Sequence, residues 1–117
     1  GTMMDADHIA ALQSYARNGG GFVGIHCAAT ALRDEPWYGR LIGTVSSHHP
    51  DPQQGIVRLE RAIAELWLLL DKWYKFTGNP GAWDVDVVFT VNEKTCQGGK
   101  HDDDQPVAWC RAFEGGR

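Results

Sequence analysis

The pattern of apolar and polar positions at the start of the chain predicts a helix followed by a buried strand. Apolar residues recur at the spacing of one helix face from Ile9 to Ala16, and Asp5 or Asp7 can cap that helix. Three glycines end it, because glycine adopts the left-handed conformation without steric cost. The continuous apolar run over residues 22–25 is typical of a strand buried on both faces, as in a parallel sheet covered by helices.

The rest of the chain predicts further helices and strands without a repeat or a linker. In the first of these helices Trp37 faces inward, and Gly43 ends the helix. The helix at 61–70 rests on propensity, since alanine, leucine and glutamate are good helix formers. In order, the predicted elements are a short helix at 36–42, a strand at 55–60, a helix at 61–70, an extended segment at 71–76, a turn at 79–81, a strand at 85–91 and a strand at 106–111.

Size and composition narrow the class of protein. A chain of 117 residues is one domain, and 43% hydrophobic with 22% charged residues is typical of a folded one. The net charge of −4 excludes nucleic-acid binding that depends on an overall positive charge. No apolar run approaches the roughly 20 residues that span a bilayer. Three cysteines without metal-finger spacing, and no visible signal peptide, favour reduced thiols in the cytoplasm.

His26 and Cys27 are the first candidates for chemistry. They follow the predicted buried strand, and open α/β sheets bind ligands at the carboxyl ends of their strands. A buried histidine bonded to the backbone is the competing interpretation of His26. Cys27 could be a nucleophile on a strand-to-helix turn, although most lone cysteines are small core residues.

Two loops carry further titratable residues. His48 and His49 share one loop with Asp51, and since adjacent residues rarely point the same way, at most one of these histidines should face a cleft. Residues 101–104 (HDDD) could attract a hard cation, but they lack the spaced ligands of a calcium loop, which favours a solvated acidic tip. The glycines at 19–21 precede their strand, so they predict a helix cap and not a phosphate site.

Five short motifs occur in the order found in a known family. Together they resemble the ThuA-like, trehalose-utilisation family, whose fold is similar to class I glutamine amidotransferase domains. The resemblance implies a flavodoxin-like three-layer α/β domain with a mostly parallel sheet, acting in bacterial carbohydrate metabolism. It also implies a single domain over 1–117 that is truncated at both ends, with strands before Asp5 and a strand and helix after Arg117. The motifs are residues 19–26 (GGGFVGIH), 36–38 (PWY), 49–50 (HP), 71–76 (DKWYKF) and 105–109 (QPVAW).

The resemblance implies a site for a small sugar substrate, a disaccharide or keto-sugar. His26 and His49 would meet there as acid/base groups or metal ligands, and Asp71 would orient an imidazole or bind a sugar hydroxyl. A glycosidase needs paired carboxylates, so proton transfer next to a carbonyl suits these residues better, and the reaction stays open. Aromatic faces can pack against sugars, and four such residues would shape the pocket: Trp37, Tyr38, Tyr74 and Trp109.

Lys72 is the main departure from the family pattern, which has an Asp-Glu pair where this chain has Asp71 and Lys72. A divalent metal at two imidazoles and Asp71 is conceivable, but an adjacent ammonium opposes it, so we predict an acid/base pair and no cofactor. The alternatives are a non-catalytic sugar-binding or interaction domain, which Lys72 favours, and a cysteine-dependent amidotransferase-like enzyme using Cys27. The oligomeric state is open.

Overall fold

The computed structural model describes residues 3–60, 66–82, 84–99 and 105–116. Both described helices precede the six described strands, and short 3-10 turns lie at His26–Thr30, Pro80–Ala82 and Glu93–Thr95. None of the described helices is long and apolar enough to cross a membrane. The main elements are helices α1 (Ala6–Arg17) and α2 (Pro36–Ile42) and strands β1 (Ser46–His48), β2 (Gln53–Leu59), β3 (Leu66–Asp71), β4 (Lys75–Phe76), β5 (Asp86–Asn92) and β6 (Gln105–Cys110).

The local helix signals are confirmed. The Asp5 side chain accepts a hydrogen bond from the backbone N–H of His8 and so caps α1. Glu35 caps α2 in the same way, through the backbone N–H of Trp37. Gly43 ends α2 with a φ of 92°, a conformation that residues with a side chain rarely adopt.

The strands form antiparallel sheets, so the predicted mostly parallel, flavodoxin-like three-layer fold is wrong. One sheet has the order β3-β2-β5-β6, and β1 pairs with β4 in a second, two-stranded sheet. Every pair is antiparallel. The short connection explains the antiparallel pairing of β2 and β3, because parallel neighbours need a crossover of a dozen or more residues. Residues 60–65, between β2 and β3, are too few to make one.

The apolar run at 22–25 is extended but joins no strand ladder within the described residues. Val23 and Ile25 are 82% and 75% exposed, so the predicted strand buried on both faces is wrong. Phe22 alone of the large side chains in this run packs against a buried cluster. An apolar run indicates a tendency to be buried, but it does not specify a hydrogen-bonding partner.

The predicted helix at 61–70 is also wrong where it can be compared. Residues 61–65 lie outside the described residues, and Leu66 onward is strand β3. β3 pairs with β2 over its whole length, from Gln53 opposite Asp71 to Arg58 opposite Leu66. The hydrogen bonds of this ladder outweigh the helix propensity of leucine, which differs from that of other residues by only a few tenths of a kcal/mol.

The apolar interior consists of two clusters. The first, the helical cluster, contains Ala16, Trp37 and Tyr38, with Phe22, Leu41, Ile42 and Phe113 among the side chains packed on it. The second, the sheet cluster, contains Val57, Trp73 and Val91, with Phe89 and Val107 packed on it.

Trp73 fixes the segment that joins β3 to β4. Its indole N–H donates to the carbonyl of Gln53 at 2.9 Å, and its ring lies over Gly55 of β2. A side chain at Gly55 would place its Cβ only 2.7 Å from the indole, so glycine permits this close approach. These contacts therefore fix the backbone on either side of Trp73 relative to β2.

Lys75 forms a buried ion pair with Glu93. The Nζ of Lys75 donates to Oε1 of Glu93 at 2.6 Å, and the two side chains are only 2% and 1% exposed. The Sγ of Cys96 lies 3.9 Å from the same Nζ. Buried charges require such pairing, because an ion taken out of water loses its hydration.

Strand β3 forms one edge of the larger sheet and is apolar over five successive residues. Leu66, Leu68 and Leu70 are 62–70% exposed, whereas Trp67 and Leu69 are 41% and 44% exposed, as expected when alternate side chains face opposite sides. An apolar edge strand of this kind favours pairing between copies of the chain.

We therefore expect Leu68→Lys to reduce self-association, because the added charge would be buried if two edges paired. Light scattering over a range of protein concentrations measures this change. Met3→Lys is the control, since it places the same charge at a side chain that is 71% exposed and far from β3 in the sequence. Equal association of both variants and the wild type would show that the β3 edge is not involved.

Candidate active site

His26 begins the 3-10 turn at 26–30 with a φ of 49°. This left-handed conformation is uncommon for residues other than glycine, although histidine, asparagine and aspartate tolerate it better than most. The backbone N–H of Ala28 donates to the carbonyl of Ile25, which closes the turn around His26. Strained backbone of this kind is concentrated at functional sites. The His26 side chain is 45% exposed.

Asp71 and Tyr74 face the two ring nitrogens of His26. The Oδ1 of Asp71 lies 3.7 Å from Nε2, and the Tyr74 hydroxyl lies 3.3 Å from Nδ1. Asp71 is the last residue of β3, and its Oδ1 also accepts a hydrogen bond of 2.7 Å from the backbone N–H of Lys72. This backbone hydrogen bond thus holds the Asp71 carboxylate in the position where it faces the imidazole.

Tyr74 also brings His49 to the site. Its ring packs edge-on against both imidazoles, with centroids 5.0 Å from His26 and 5.3 Å from His49. The Nδ1 of His49 lies 3.0 Å from the carbonyl of Pro50, whereas the neighbouring His48 is hydrogen-bonded to Ser47. The structure therefore brings together His26, His49, Asp71 and Tyr74, from three separate parts of the chain.

A cavity of about 670 Å³ opens beside these residues, within the size range of small-molecule sites. It lies between the helical and the sheet clusters, since residues of both line it. His26, Asp71, Lys72 and Tyr74 form its polar side. Trp109 belongs to the apolar wall, and its indole N–H is already engaged by the carbonyl of Ile42 at 2.8 Å.

The structure places Trp37 and Tyr38 behind this cavity and not in its lining. They are 3% and 6% exposed in the helical cluster. The Trp37 indole donates to Glu114, and the Tyr38 hydroxyl donates to the carbonyl of Ala28, which does line the cavity. Burial raises the pKa of Tyr38. These two aromatic side chains support the wall from outside.

The surroundings of Tyr74 raise the pKa of its phenol above the ordinary value. Loss of solvent contact, followed by the nearby Cys27 and Asp71, raises the pKa of its phenol, and Arg33 opposes this change in part. A neutral phenol is a hydrogen-bond donor as well as an acceptor. At neutral pH Tyr74 can therefore accept a hydrogen bond from His26 and donate one to a ligand.

Cys27 is exposed and does not line the cavity, although it adjoins His26 in sequence. No group of three histidine, cysteine, aspartate or glutamate side chains with metal-binding geometry exists among the described residues. The acidic segment at 101–104 lies outside them. Among the described residues that line the cavity, His26 supplies an imidazole and Cys110 supplies a free thiol.

Arg111 is a lining residue that the sequence analysis missed. It lies one residue beyond β6, two positions after Trp109, and this spacing of two places both side chains on one face of an extended chain. Its guanidinium lies 5.0 Å from the centre of the Phe113 ring and donates to the carbonyl of Arg40. Burial lowers its pKa.

Antiparallel sheets with two helices, and a cavity edged by an imidazole, a carboxylate and a phenol, define an α+β domain with a small-molecule site. The antiparallel pairing does not support an amidotransferase-like fold. The chain belongs to the ThuA (trehalose utilisation) family, whose model matches residues 1–117. No curated protein and no solved structure matches it.

Proposed function

We propose that this trehalose-utilisation-type domain processes a disaccharide or keto-sugar by proton transfer, with His26 as the acid/base group. The observation that carries the proposal is the position of His26 at the cavity, with Asp71 at one ring nitrogen and Tyr74 at the other. Membership of the family supports the class of substrate.

The hydrogen-bond geometry favours Nε2 of His26 as the base. If Nδ1 carries the ring proton, it donates to the Tyr74 oxygen 3.3 Å away and leaves Nε2 as an acceptor. The 3.7 Å between Nε2 and Asp71 exceeds a hydrogen bond, so a substrate hydrogen can reach this nitrogen. The carboxylate then stabilises the imidazolium that forms.

Tyr74 completes this chemistry at the substrate oxygen. When Nε2 removes a proton from the carbon next to a carbonyl, negative charge develops on the carbonyl oxygen. The Tyr74 phenol, which is uncharged at neutral pH, donates a hydrogen bond to that oxygen. The hydroxyl proton on the neighbouring carbon then passes through the Tyr74 phenol to the former carbonyl oxygen, and Nε2 returns its proton to the former carbonyl carbon. These two transfers form the new carbonyl, restore the neutral imidazole and complete a keto-sugar isomerisation.

Glycoside hydrolysis fits these residues less well. That reaction needs two carboxyl groups on either side of the scissile bond. Among the described residues that line the cavity, Asp71 supplies a carboxylate and no second one faces it.

Hydrogen exchange tests the proposal. The protein is incubated with keto-trehalose in D₂O, and loss of the proton signal next to the carbonyl is followed by NMR. We expect exchange above the solvent rate, together with slow isomerisation. A protein that binds the sugar without exchanging this hydrogen would be a binding domain, contrary to the proposal.

We expect Tyr74→Phe to lower the exchange rate by about tenfold to a hundredfold, because it removes the donor to the carbonyl oxygen. The ring that packs between His26 and His49 is kept. Tyr15→Phe is the matched control, since the Tyr15 hydroxyl bonds to Gly21 away from the cavity. An unchanged rate in Tyr74→Phe would remove the phenol from the mechanism.

A further inference from the structure

Lys72 gives the cavity a cationic group beside the proposed acid/base residues. It lines the cavity directly after Asp71, and its backbone N–H, not its ammonium, holds the Asp71 carboxylate. Among the residues that the structure describes, no carboxylate lies within ion-pair distance of the Lys72 ammonium. An exposed ammonium in a cavity wall can therefore contact a ligand directly.

The charge of the cavity differs in sign from that of the whole protein. The chain has a net charge of −4, yet its cavity is lined by two cations, Lys72 and Arg111, and by the single described carboxylate, Asp71. The cations have different roles: Arg111 is engaged with Phe113 and the carbonyl of Arg40, whereas Lys72 is exposed. The lining therefore carries more positive than negative charge, which favours ligands of the opposite sign.

We propose that the sugar bound here carries an anionic group, a carboxylate or a phosphate, whose oxygens contact the Lys72 ammonium. This inference rests on the proposed function, because it assigns the substrate class of the same cavity. Lys72 is the specificity-determining residue: it selects anionic sugars, while His26 and Tyr74 act on the carbon and oxygen atoms. A lysine suits either anion, because its ammonium is a compact charge with rotatable donors.

Binding of matched sugars tests the inference without requiring turnover. Glucose, glucuronate and glucose 6-phosphate are titrated into the 117-residue protein and followed by tryptophan fluorescence, since Trp73 and Trp109 line the cavity. We expect glucuronate or glucose 6-phosphate to bind at least tenfold more tightly than glucose, and the difference to shrink with added salt. A preference for glucuronate identifies a carboxylate, and a preference for glucose 6-phosphate with competition by inorganic phosphate identifies a phosphate.

Substitution of Lys72 shows whether this residue causes the preference for anionic sugars. Lys72→Met should abolish the preference for the anionic sugar, and Lys72→Glu should reverse it. Lys94→Glu makes the same charge change at an exposed lysine that does not line the cavity, and it should keep the preference. Equal affinity for glucose and both anionic sugars, or a preference that survives Lys72→Glu, would overturn the inference.

The two proposals fail in different ways. A Lys72-dependent preference for anionic sugars in a protein that exchanges no substrate hydrogen would support anion recognition and contradict proton transfer. Rapid exchange of a neutral keto-sugar, at a rate unaffected by Lys72→Glu, would support proton transfer and contradict anion recognition.

Discussion

Replacing His26 with asparagine should lower the rate of hydrogen exchange in a keto-sugar by at least about a hundredfold, because the base that removes the proton is lost. Asparagine is chosen since it tolerates the left-handed backbone at this position, where φ is 49°. The fold should therefore survive while the chemistry is lost. NMR exchange rates, with circular dichroism as a check of folding, measure both.

Cys27→Ser is the matched control for this variant. Cys27 is the next residue in the same turn, but it does not line the cavity, so its rate should stay within about twofold of the wild type. Loss of activity in Cys27→Ser, with His26→Asn still active, would instead support the cysteine-dependent alternative.

The second large effect is expected at the buried ion pair. Lys75→Met should lower the free energy of unfolding by about 3–5 kcal/mol, because the buried Glu93 carboxylate loses the Lys75 ammonium that pairs with it. Urea denaturation at neutral pH measures the change. Lys72→Met removes an exposed lysine three residues earlier and should change stability by less than about 0.5 kcal/mol.

A double variant distinguishes two free energies of unfolding: the cost of removing one buried charge from the pair, and the net contribution of the whole ion pair. Replacing both partners, as Lys75→Met with Glu93→Leu, removes both buried charges and should recover most of the lost stability. If Lys75→Met alone costs under about 1 kcal/mol, water reaches Glu93 easily and the pair is less buried than its geometry indicates.

Local signals in the sequence predicted local structure well. The caps of α1 and α2, and strands close to β2, β5 and β6, follow from short-range spacing and capping residues. Two segments failed for the same physical reason. Residues 22–25 and 66–70 are strongly apolar, and this composition is compatible with a helix or with a strand in either type of sheet. Residues 66–70 pair with strand β2, whereas residues 22–25 join no ladder within the described residues, and no local pattern records either outcome.

The site shows a similar division. The resemblance predicted a site of His26, His49 and Asp71 with Tyr74 among the pocket aromatics, but the sequence could not sort those aromatic residues into core and cavity. Trp37 and Trp109 have the same indole, yet one lies in the helical cluster and the other lines the cavity. Lys75 was missed because its burial depends on Glu93, which lies 18 residues away.

The position of the cavity between the helical and the sheet clusters has a thermodynamic consequence. A sugar in the cavity would contact Phe22 and Ile42 on one side and Trp73 and Val107 on the other. Because opening of either cluster would then also require release of the sugar, the two clusters would share its binding free energy. A bound sugar would thus make the helical and the sheet clusters unfold together, as one cooperative unit held in part by contacts to the substrate.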